Sequence, residues 1–271
     1  MFDEVLKRWH LDADGAVFHT PGSDLLPVRT ADGRPAMLKR ARAPEERAGL
    51  ALMVWWAGDG AAPVLAHDDD VLLMMRATGP RDLLAMSIDT ATGDDAATDA
   101  LCDVLARLHA PRAAPAPPLA PLADWFRALH REAAQRGGIY EECARLTDAL
   151  LASPQEVIPL HGDCHHHNVL DFGDGGWRAI DPKDRIGERG FDHAQILCNP
   201  DLPHAADPAR FRRQLARVSA RAGFDPRRLA QWTAARAALS AAWFLEDAEE
   251  DNAARDIDTA RTALDWLRQA G

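Results

Sequence analysis

The sequence predicts an α+β protein, with strands concentrated in the first 76 residues and helices in the remainder. Three observations lead to this prediction. Short alternating apolar runs, separated by Gly, Pro and Asp turns, fill the first part of the chain. After residue 80 the apolar residues recur at helical spacing instead. Within this later part, two short apolar runs at 169–172 and 177–180 are joined by a Gly/Asp turn, which predicts a β-hairpin.

The first part of the chain predicts a small antiparallel sheet with one main helix. Residues 1–10 predict a short amphipathic helix, because their apolar side chains fall on one face. Five strands are predicted, at residues 16–19, 25–29, 36–40, 64–67 and 71–76. The main helix is predicted at residues 44–56, between the third and fourth strands.

The later part predicts helices on both sides of the hairpin. Helical spacing of apolar residues predicts helices at 98–109, 122–136, 140–152, 207–222, 226–250 and 252–269, and another that opens at Phe191. The segment 110–121 is too rich in proline for a helix and is predicted to be extended. The segment 182–190 is polar and is predicted to be turn-rich.

Length and charge limit the classes of function. At 271 residues the chain can form one large domain or two lobes. A formal charge of −11 argues against nucleic acid and anionic membranes as partners and favours a small cationic one. We find neither a membrane-spanning stretch nor a secretory leader, so a cytoplasmic location is expected. We also expect a monomer. The four widely spaced cysteines are expected to be reduced thiols.

The chemistry is concentrated in the segment HGDCHHHN at 161–168 and in the later Asp181. Asp163 and Asn168 are expected on the loop before the hairpin, and Asp181 at the hairpin's exit. Phosphoryl transfer needs a carboxylate that orients the attacking hydroxyl, together with oxygen ligands for Mg²⁺. The spacing H-x-D-x-x-x-x-N, with an Asp after the second strand, resembles the catalytic loop and metal aspartate of protein-kinase-like enzymes. This resemblance implies Asp163 as the catalytic carboxylate, and Asn168 and Asp181 as the metal ligands. His161 is expected to hydrogen-bond backbone near Asp181.

The form of this motif resembles a known family. The run HGDCHHHNVL, followed by GGWRAIDPKDRIGERGFD, is similar to the aminoglycoside/hydroxyurea antibiotic resistance kinases, and most of all to the streptomycin 6-phosphotransferases. The resemblance implies a two-lobed protein-kinase-like fold, with a nucleotide-binding lobe at 1–76 and a catalytic and substrate-binding lobe at 77–271. It also implies ATP and Mg²⁺ as cofactors. The γ-phosphoryl would go to a hydroxyl of a small cationic molecule such as streptomycin, with hydroxyurea as another candidate.

The resemblance also assigns residues that hold the nucleotide phosphates. Lys39 ends the third predicted strand, in the place of the lysine that pairs with the phosphates. Glu46 on the next helix would be the ion-pair partner of Lys39, with Glu45 as the fallback. The turn at 22–24 would cover the phosphates with its backbone N–H groups, including that of Ser23. An ordinary hairpin turn is the open alternative, because the segment lacks G-x-G-x-x-G.

The adenine base would be held by backbone groups at the end of the fifth strand. Met75, Arg76 and Ala77 take the position of the hinge between the two lobes in the resembling kinases. Only their backbone would matter there, so their side chains carry little evidence.

The acceptor site is expected beside Asp163, walled by the C-terminal helices. The run SAAWFLEDAEED at 240–251 resembles the SAAW…EEE stretch of streptomycin kinases. Glu246 and Glu250 are expected to share one helical face and to bind a guanidinium group. A solvated acidic helix end is the open alternative. Asp192 is a further substrate-binding candidate, with a helix cap or a structural acid as its other interpretation.

Three alternative functions remain open. Cys164 and the three histidines after it are typical zinc ligands, and a zinc site there would indicate a metal-assisted hydrolase. Against this, four adjacent residues cannot all face one ion. A nucleotide-binding module without turnover is a second alternative, although the intact set of candidate residues argues against it. A kinase of an unrelated small metabolite is the third, because the motif predicts the reaction better than the acceptor.

Overall fold

The computed structural model describes residues 2–200 and 204–270. Met1, in the first predicted helix, lies outside them. The first part contains α1 (Asp3–Arg8), β1 (Asp12–Ala13), β2 (Phe18–His19), β3 (Ser23–Arg29), β4 (Pro35–Ala41), α2 (Pro44–Trp56), β5 (Val64–His67) and β6 (Val71–Met75). The rest contains α3 (Leu83–Asp89), α4 (Ala91–Leu108), β7 (Ala120–Pro121), α5 (Arg127–Arg136), α6 (Gly138–Ala152), β8 (Val157–Leu160), β9 (Val169–Asp171), β10 (Trp177–Ala179), β11 (Arg185–Glu188), α7 (Gly190–Leu197), α8 (Pro208–Ala222), α9 (Pro226–Glu246) and α10 (Glu250–Gln269).

The first sheet is antiparallel and is ordered β1-β3-β4-β6-β5, with β2 also paired to β3. One edge of β3 pairs with β4 over its full length, so β1 and β2 share the other edge. The sheet is therefore five positions wide but has six strands. The five-strand prediction missed β1, because a strand of two residues is too short to show alternation.

Strand alternation places Lys39 on the α2 side of this sheet. Leu38 is completely buried in a cluster with Phe2 and Val5 at the α1 end of the chain. Because successive strand residues face opposite sides, Lys39 points away from that cluster. Helix α2 covers the other side, with Leu52 and Trp56 in the main core of the protein.

The helical part is organised around α9, which packs against α5, α6, α7, α8 and α10. Twelve of its residues are buried, including Trp232 and Leu239, and they belong to the same main core as Leu52 and Trp56 of α2. The prediction extended α9 to residue 250, but the helix ends at Glu246. A turn with Ala248 in the left-handed region separates it from α10. No described helix is both long and apolar enough to cross a bilayer.

The predicted hairpin is confirmed. Strands β9 and β10 pair antiparallel from Val169↔Ala179 to Asp171↔Trp177, around a 3-10 turn at Gly173–Gly175. The segment 182–190 was predicted to be turn-rich, but it contains β11, which pairs antiparallel with β8 and parallel with β7. The sequence did not predict β11, because Ile186 is its one large apolar residue and its partners lie far away in the chain.

Candidate active site

A buried aspartate holds the loop that carries the motif. Both oxygens of Asp192 accept backbone hydrogen bonds, from the N–H groups of His161 and Gly162 at 2.8 Å each. One of them also lies 2.8 Å from the ring of His109. Asp192 is 0 % exposed. The prediction of Asp192 as a substrate-binding residue is therefore corrected, because its carboxylate is enclosed and used within the protein.

His161 joins the loop to the exit of the hairpin. Its Nε2 lies 2.9 Å from the carbonyl oxygen of Ile180, and its Nδ1 accepts from the N–H of Asp163 at 3.2 Å. The ring is buried and stacks on Trp56. Burial lowers the pKa of His161, which favours the neutral ring with its proton on Nε2. The expectation that His161 bonds backbone near Asp181 is confirmed.

The carboxylate of Asp163 is held on both oxygens. Oδ1 accepts from Gln195 at 2.9 Å and lies 3.9 Å from Arg236, while Oδ2 accepts from Asn168 at 3.1 Å and lies 3.6 Å from His165. Burial raises the pKa of Asp163, but His165 and Arg236 outweigh this and hold it well below its ordinary value. Asp163 is therefore an ionised carboxylate, with 29 % of its side chain still exposed.

Asn168 and Asp181 lie at the same end of the hairpin. The backbone N–H of Ile180 donates to the carbonyl of Asn168 at 2.8 Å, which ties the two segments together. Because Nδ2 of Asn168 is used on Asp163, its side-chain oxygen is the atom left for a cation. Asp181 has φ 60°, a left-handed conformation that costs about 1–3 kcal/mol in a non-glycine residue. Such strain is frequent at functional sites.

Two lysines and two acids, Asp181 among them, form a half-buried cluster at this end of the hairpin. Lys39 donates to Glu46 at 2.6 Å and forms a second ion pair with Asp181. Lys183 donates to Asp181 at 3.0 Å and to Glu46 at 3.2 Å. Burial raises the pKa values of both acids, but the lysine charges outweigh it, so both acids remain ionised. Sequence patterns did not indicate Lys183, whose one signal is its position two residues after Asp181.

Close approach of α2 brings Glu46 into this cluster. A Cβ atom at Gly49 would lie 2.3 Å from the backbone oxygen of Pro182, so glycine is needed where the helix crosses the segment after Asp181. Ser23 donates from its hydroxyl to Glu46 at 3.0 Å and is 0 % exposed. The hydroxyl of Ser23 therefore supports Glu46, and the expected cover of the phosphates by the backbone of this turn stays a prediction. The side chain of Glu45, the fallback, lies outside the described part of the chain.

A cleft of about 310 Å³ opens onto this cluster. Its polar end is formed by Lys39, Asn168 and Asp181. Its walls are mostly apolar and come from the first sheet and from the hairpin: Phe18, Thr20, Leu25, Met37, Met74, Met75, Arg76, Ala77, Leu170, Phe172 and Ile180. An apolar slot with a few polar groups at one end fits a flat base joined to a charged tail.

The predicted hinge borders the cleft and is fixed to the hairpin. The N–H of Met75 donates to the carbonyl of Pro63 at 2.9 Å, so this N–H is not available to a ligand. Just beyond Ala77, the N–H of Gly79 donates to the carbonyl of Asp171 at 2.9 Å. Arg81 makes two side-chain hydrogen bonds to the Asp171 carboxylate, each at 2.8 Å. Sequence patterns did not indicate that Asp171 is part of the site.

The cysteine and histidine side chains after Asp163 diverge. Cys164 is buried, and His166 is buried with its Nε2 2.9 Å from the hydroxyl of Ser87. His165 faces Asp163 and Asn168. Within residues 2–200 and 204–270, no group of three or more His, Cys, Asp or Glu side chains is placed to hold one metal ion. The zinc interpretation therefore has no ligand cluster to support it.

The two acidic residues proposed for the substrate do not share a helical face. Glu246 is the last residue of α9 and forms an ion pair with Arg131, whereas Glu250 begins α10 beyond the turn. The expectation that the two acids share one helical face is therefore corrected.

Trp125 lies against the loop that carries the motif, because its ring would be 3.0 Å from a Cβ atom at Gly162. Sequence patterns gave no sign that Trp125 would be there.

Known proteins resemble this chain over most of its length. A family model described as aminoglycoside/hydroxyurea antibiotic resistance kinase matches residues 8–248. A streptomycin 3''-kinase of Klebsiella pneumoniae is 48% identical over 264 residues, which cover 96% of this chain and 98% of the relative. A streptomycin 6-kinase of Streptomyces glaucescens is 32% identical, covering 91% of this chain and 83% of the relative.

Solved structures show the same fold at low identity. An aminoglycoside phosphotransferase in a ternary complex with ADP and hygromycin B has a TM-score of 0.67 and 14% identity, covering 99% of this chain and 98% of that one. A choline/ethanolamine kinase family protein from Mesorhizobium loti has a TM-score of 0.65 and 17% identity, covering 96% and 92%. The fold is therefore the protein-kinase-like α+β fold. The chain belongs to the aminoglycoside/hydroxyurea antibiotic resistance kinase family.

Proposed function

We propose that this protein transfers the γ-phosphoryl group of Mg·ATP to a hydroxyl of streptomycin. The observation that carries the proposal is that Lys39, Asn168 and Asp181 meet at the polar end of one apolar cleft, with Asp163 hydrogen-bonded to Asn168. The 48% identity to a streptomycin 3''-kinase supports the choice of acceptor. The net charge of −11 supports a cationic substrate through long-range attraction.

The nucleotide would lie between the lobes at 1–76 and 77–271. The base would fit between the sheet side chain Met37 and the hairpin side chain Phe172, beside the backbone of Met75 and Ala77. Lys39 would contact the phosphates, as a compact cation held in place by its two acidic partners.

The oxygens of Asn168 and Asp181 fit a magnesium ion that also takes phosphate and water ligands. Two protein ligands are enough for this ion, because it keeps several waters and binds substrate phosphates. When bound, the ion would offset the charge that develops on the phosphates. Because Asp181 is now paired with Lys39 and Lys183, the ion would share this carboxylate with them.

Asp163 would accept the proton of the attacking hydroxyl. The acceptor oxygen forms its bond to the γ-phosphorus as the bond from that phosphorus to the leaving oxygen of ADP breaks. The proton leaves the acceptor late, since the transition state is loose. A carboxylate of low basicity is sufficient for this role, because it mainly fixes the direction of the hydroxyl. Positioned proton transfer of this kind contributes about 10²–10⁴ in rate.

We further propose the 3'' hydroxyl as the acceptor. Identity to the relative named for that position is 48%, against 32% and 33% for two relatives named for position 6. This choice replaces the resemblance to the 6-phosphotransferases that the motif favoured. The protein would act as a monomer.

A substrate panel tests the proposal. Purified protein is incubated with Mg·ATP and streptomycin, hygromycin B, hydroxyurea or choline, and ADP release and product mass are recorded. The expected product is streptomycin that carries one phosphoryl group, located at the 3'' oxygen by nuclear magnetic resonance. A phosphate at position 6 would contradict only the assigned hydroxyl. ATP-dependent phosphorylation of another compound, with streptomycin untouched, would contradict the proposed acceptor.

A further inference from the structure

Arg236 is a buried cation with few partners. It lies in α9, and 7 % of its side chain is exposed. Within the described residues, its Nε and Nη1 atoms are buried and have no hydrogen-bond partner. Its one ion-pair contact in this part of the chain joins Nη2 to Oδ1 of Asp163 at 3.9 Å. Most buried arginines are better satisfied than this one.

Aromatic rings form much of the surroundings of this guanidinium. Its central carbon lies 5.6 Å from the ring centroid of Phe191 and 5.3 Å from that of Trp243. These rings offset part of the cost of burying the charge. They do not replace hydrogen bonds to the buried N–H groups, so Arg236 is not expected to stabilise the fold.

Arg228 in the same helix makes the contrast clear. It makes two hydrogen bonds to the carboxylate of Glu188, at 2.8 and 2.6 Å, and a third to the carbonyl of Ser153 at 2.8 Å. Arg228 is therefore a structural arginine with a full set of partners. Arg236 lies in a more enclosed position without such partners, which calls for another explanation.

Arg236 completes the surroundings of the Asp163 carboxylate. Asn168 and His165 lie against one oxygen, and Gln195 and Arg236 lie against the other. Gln195 and Arg236 come from two helices that pack together, α7 and α9, so the second side of the carboxylate is fixed by the helical core.

We propose that Arg236 is a positioning residue for Asp163: through its contact with Oδ1 it holds the carboxylate in the rotamer that faces the acceptor hydroxyl. This inference rests on the proposed catalytic role of Asp163. It adds a residue that neither the motif nor the nucleotide cleft contains. Arg236 acts through Asp163 and is not expected to touch the nucleotide.

The test combines kinetics and unfolding of Arg236→Met and Arg236→Lys. We expect Arg236→Met to lower kcat about tenfold or more, with KM for ATP changed less than about twofold. Its thermal midpoint should be unchanged or raised, because an unsatisfied buried cation is removed. Arg236→Lys should retain more of the turnover, since it keeps the charge. Arg228→Met is the control: its midpoint should fall while kcat of the folded enzyme is kept.

A double-mutant cycle separates this inference from the proposed function. If Arg236 acts through Asp163, Arg236→Met should cost nothing further in residual turnover when Asp163→Asn is already present. Wild-type turnover by Asp163→Asn would contradict the proposed function itself. With Asp163→Asn impaired, wild-type kcat in Arg236→Met would overturn only the role of Arg236. A lowered midpoint in Arg236→Met, or an equal further loss in the double variant, would also overturn that role.

Discussion

The side-chain amide of Asn168 donates a hydrogen bond to the carboxylate of Asp163 at 3.1 Å. The same Nδ2 atom also donates to the backbone carbonyl of Asp163, at 2.9 Å. The candidate proton acceptor and one candidate metal ligand therefore form a single unit at the end of the hairpin. Because the amide nitrogen is used in this way, the amide oxygen is the atom left to bind a cation.

Replacing the proposed proton acceptor should remove turnover without removing nucleotide binding. We expect Asp163→Asn to lower kcat by about 10²–10⁴, because the acceptor hydroxyl loses its orienting carboxylate. Binding of Mg·ADP, measured by calorimetry, should stay near wild type. His167→Ala is the control, because that side chain is exposed and should change neither quantity. Turnover at the wild-type rate would remove Asp163 from its role.

Replacing the second metal ligand, Asp181, should weaken the magnesium-dependent binding of the nucleotide. Asp181→Asn is expected to raise the Mg²⁺ concentration needed for half-maximal ATP binding by about tenfold, the equivalent of about 1.4 kcal/mol. Its carboxylate is ionised beside two lysines, so it is the stronger candidate for a cation. A Mg²⁺ titration of nucleotide binding measures the effect. Asp174→Asn, an exposed acid in the hairpin turn, is the matched control. An unchanged titration in Asp181→Asn would argue against the ligand role.

The link between hinge and hairpin predicts a specific dependence on pH. Hydrogen bonds from Arg81 lower the pKa of Asp171 from 3.8 to about 2. A lowered folded-state pKa stabilises the protein above the unfolded value, and this stability is lost as the pH falls through the folded one. The unfolding free energies of wild type and Asp171→Asn should therefore differ by a constant amount above pH 3.8 and converge towards pH 2. Denaturant titrations across that window measure this difference. A difference that stays constant down to pH 2 would contradict the assignment.

Substitution of Asp192 shows whether this residue is a structural acid or a substrate contact. Asp192→Ala removes the acceptor for two loop N–H groups and leaves them buried, so we expect a loss of about 3–5 kcal/mol in unfolding free energy. Denaturant titration measures that loss. A substrate-binding role would instead raise KM for the acceptor in a protein of normal stability, and that outcome would restore the original prediction.

Local patterns in the sequence predicted much of this fold. The hairpin at 169–180, helix α2 and the family were correct, because each depends on spacing within one short segment. The place of Glu46 beside Lys39 followed from the resemblance to kinases, which puts an acid on the helix after the lysine strand. Periodicity and turn residues are local properties, and here they agree with the fold.

Residues that depend on distant contacts were missed or misassigned. Asp192 was misassigned because its partners lie about thirty residues earlier, which no local pattern shows. Glu246 and Glu250 were placed on one face because no Gly or Pro marks a helix end between them, whereas the chain turns at Ala248. Arg236 belongs to a helix whose apolar pattern indicates only core packing, and its contact with Asp163 appears when α9 packs beside the loop.

We infer that Asn168 and Asp181 hold one metal-bound nucleotide next to Asp163. A crystal structure with Mn²⁺ in place of Mg²⁺ and a non-hydrolysable ATP analogue tests it most directly. We expect an anomalous peak about 2.1 Å from the Asn168 side-chain oxygen and the Asp181 carboxylate, with the γ-phosphate facing Asp163. A metal bound elsewhere, or a nucleotide outside the cleft between sheet and hairpin, would contradict it.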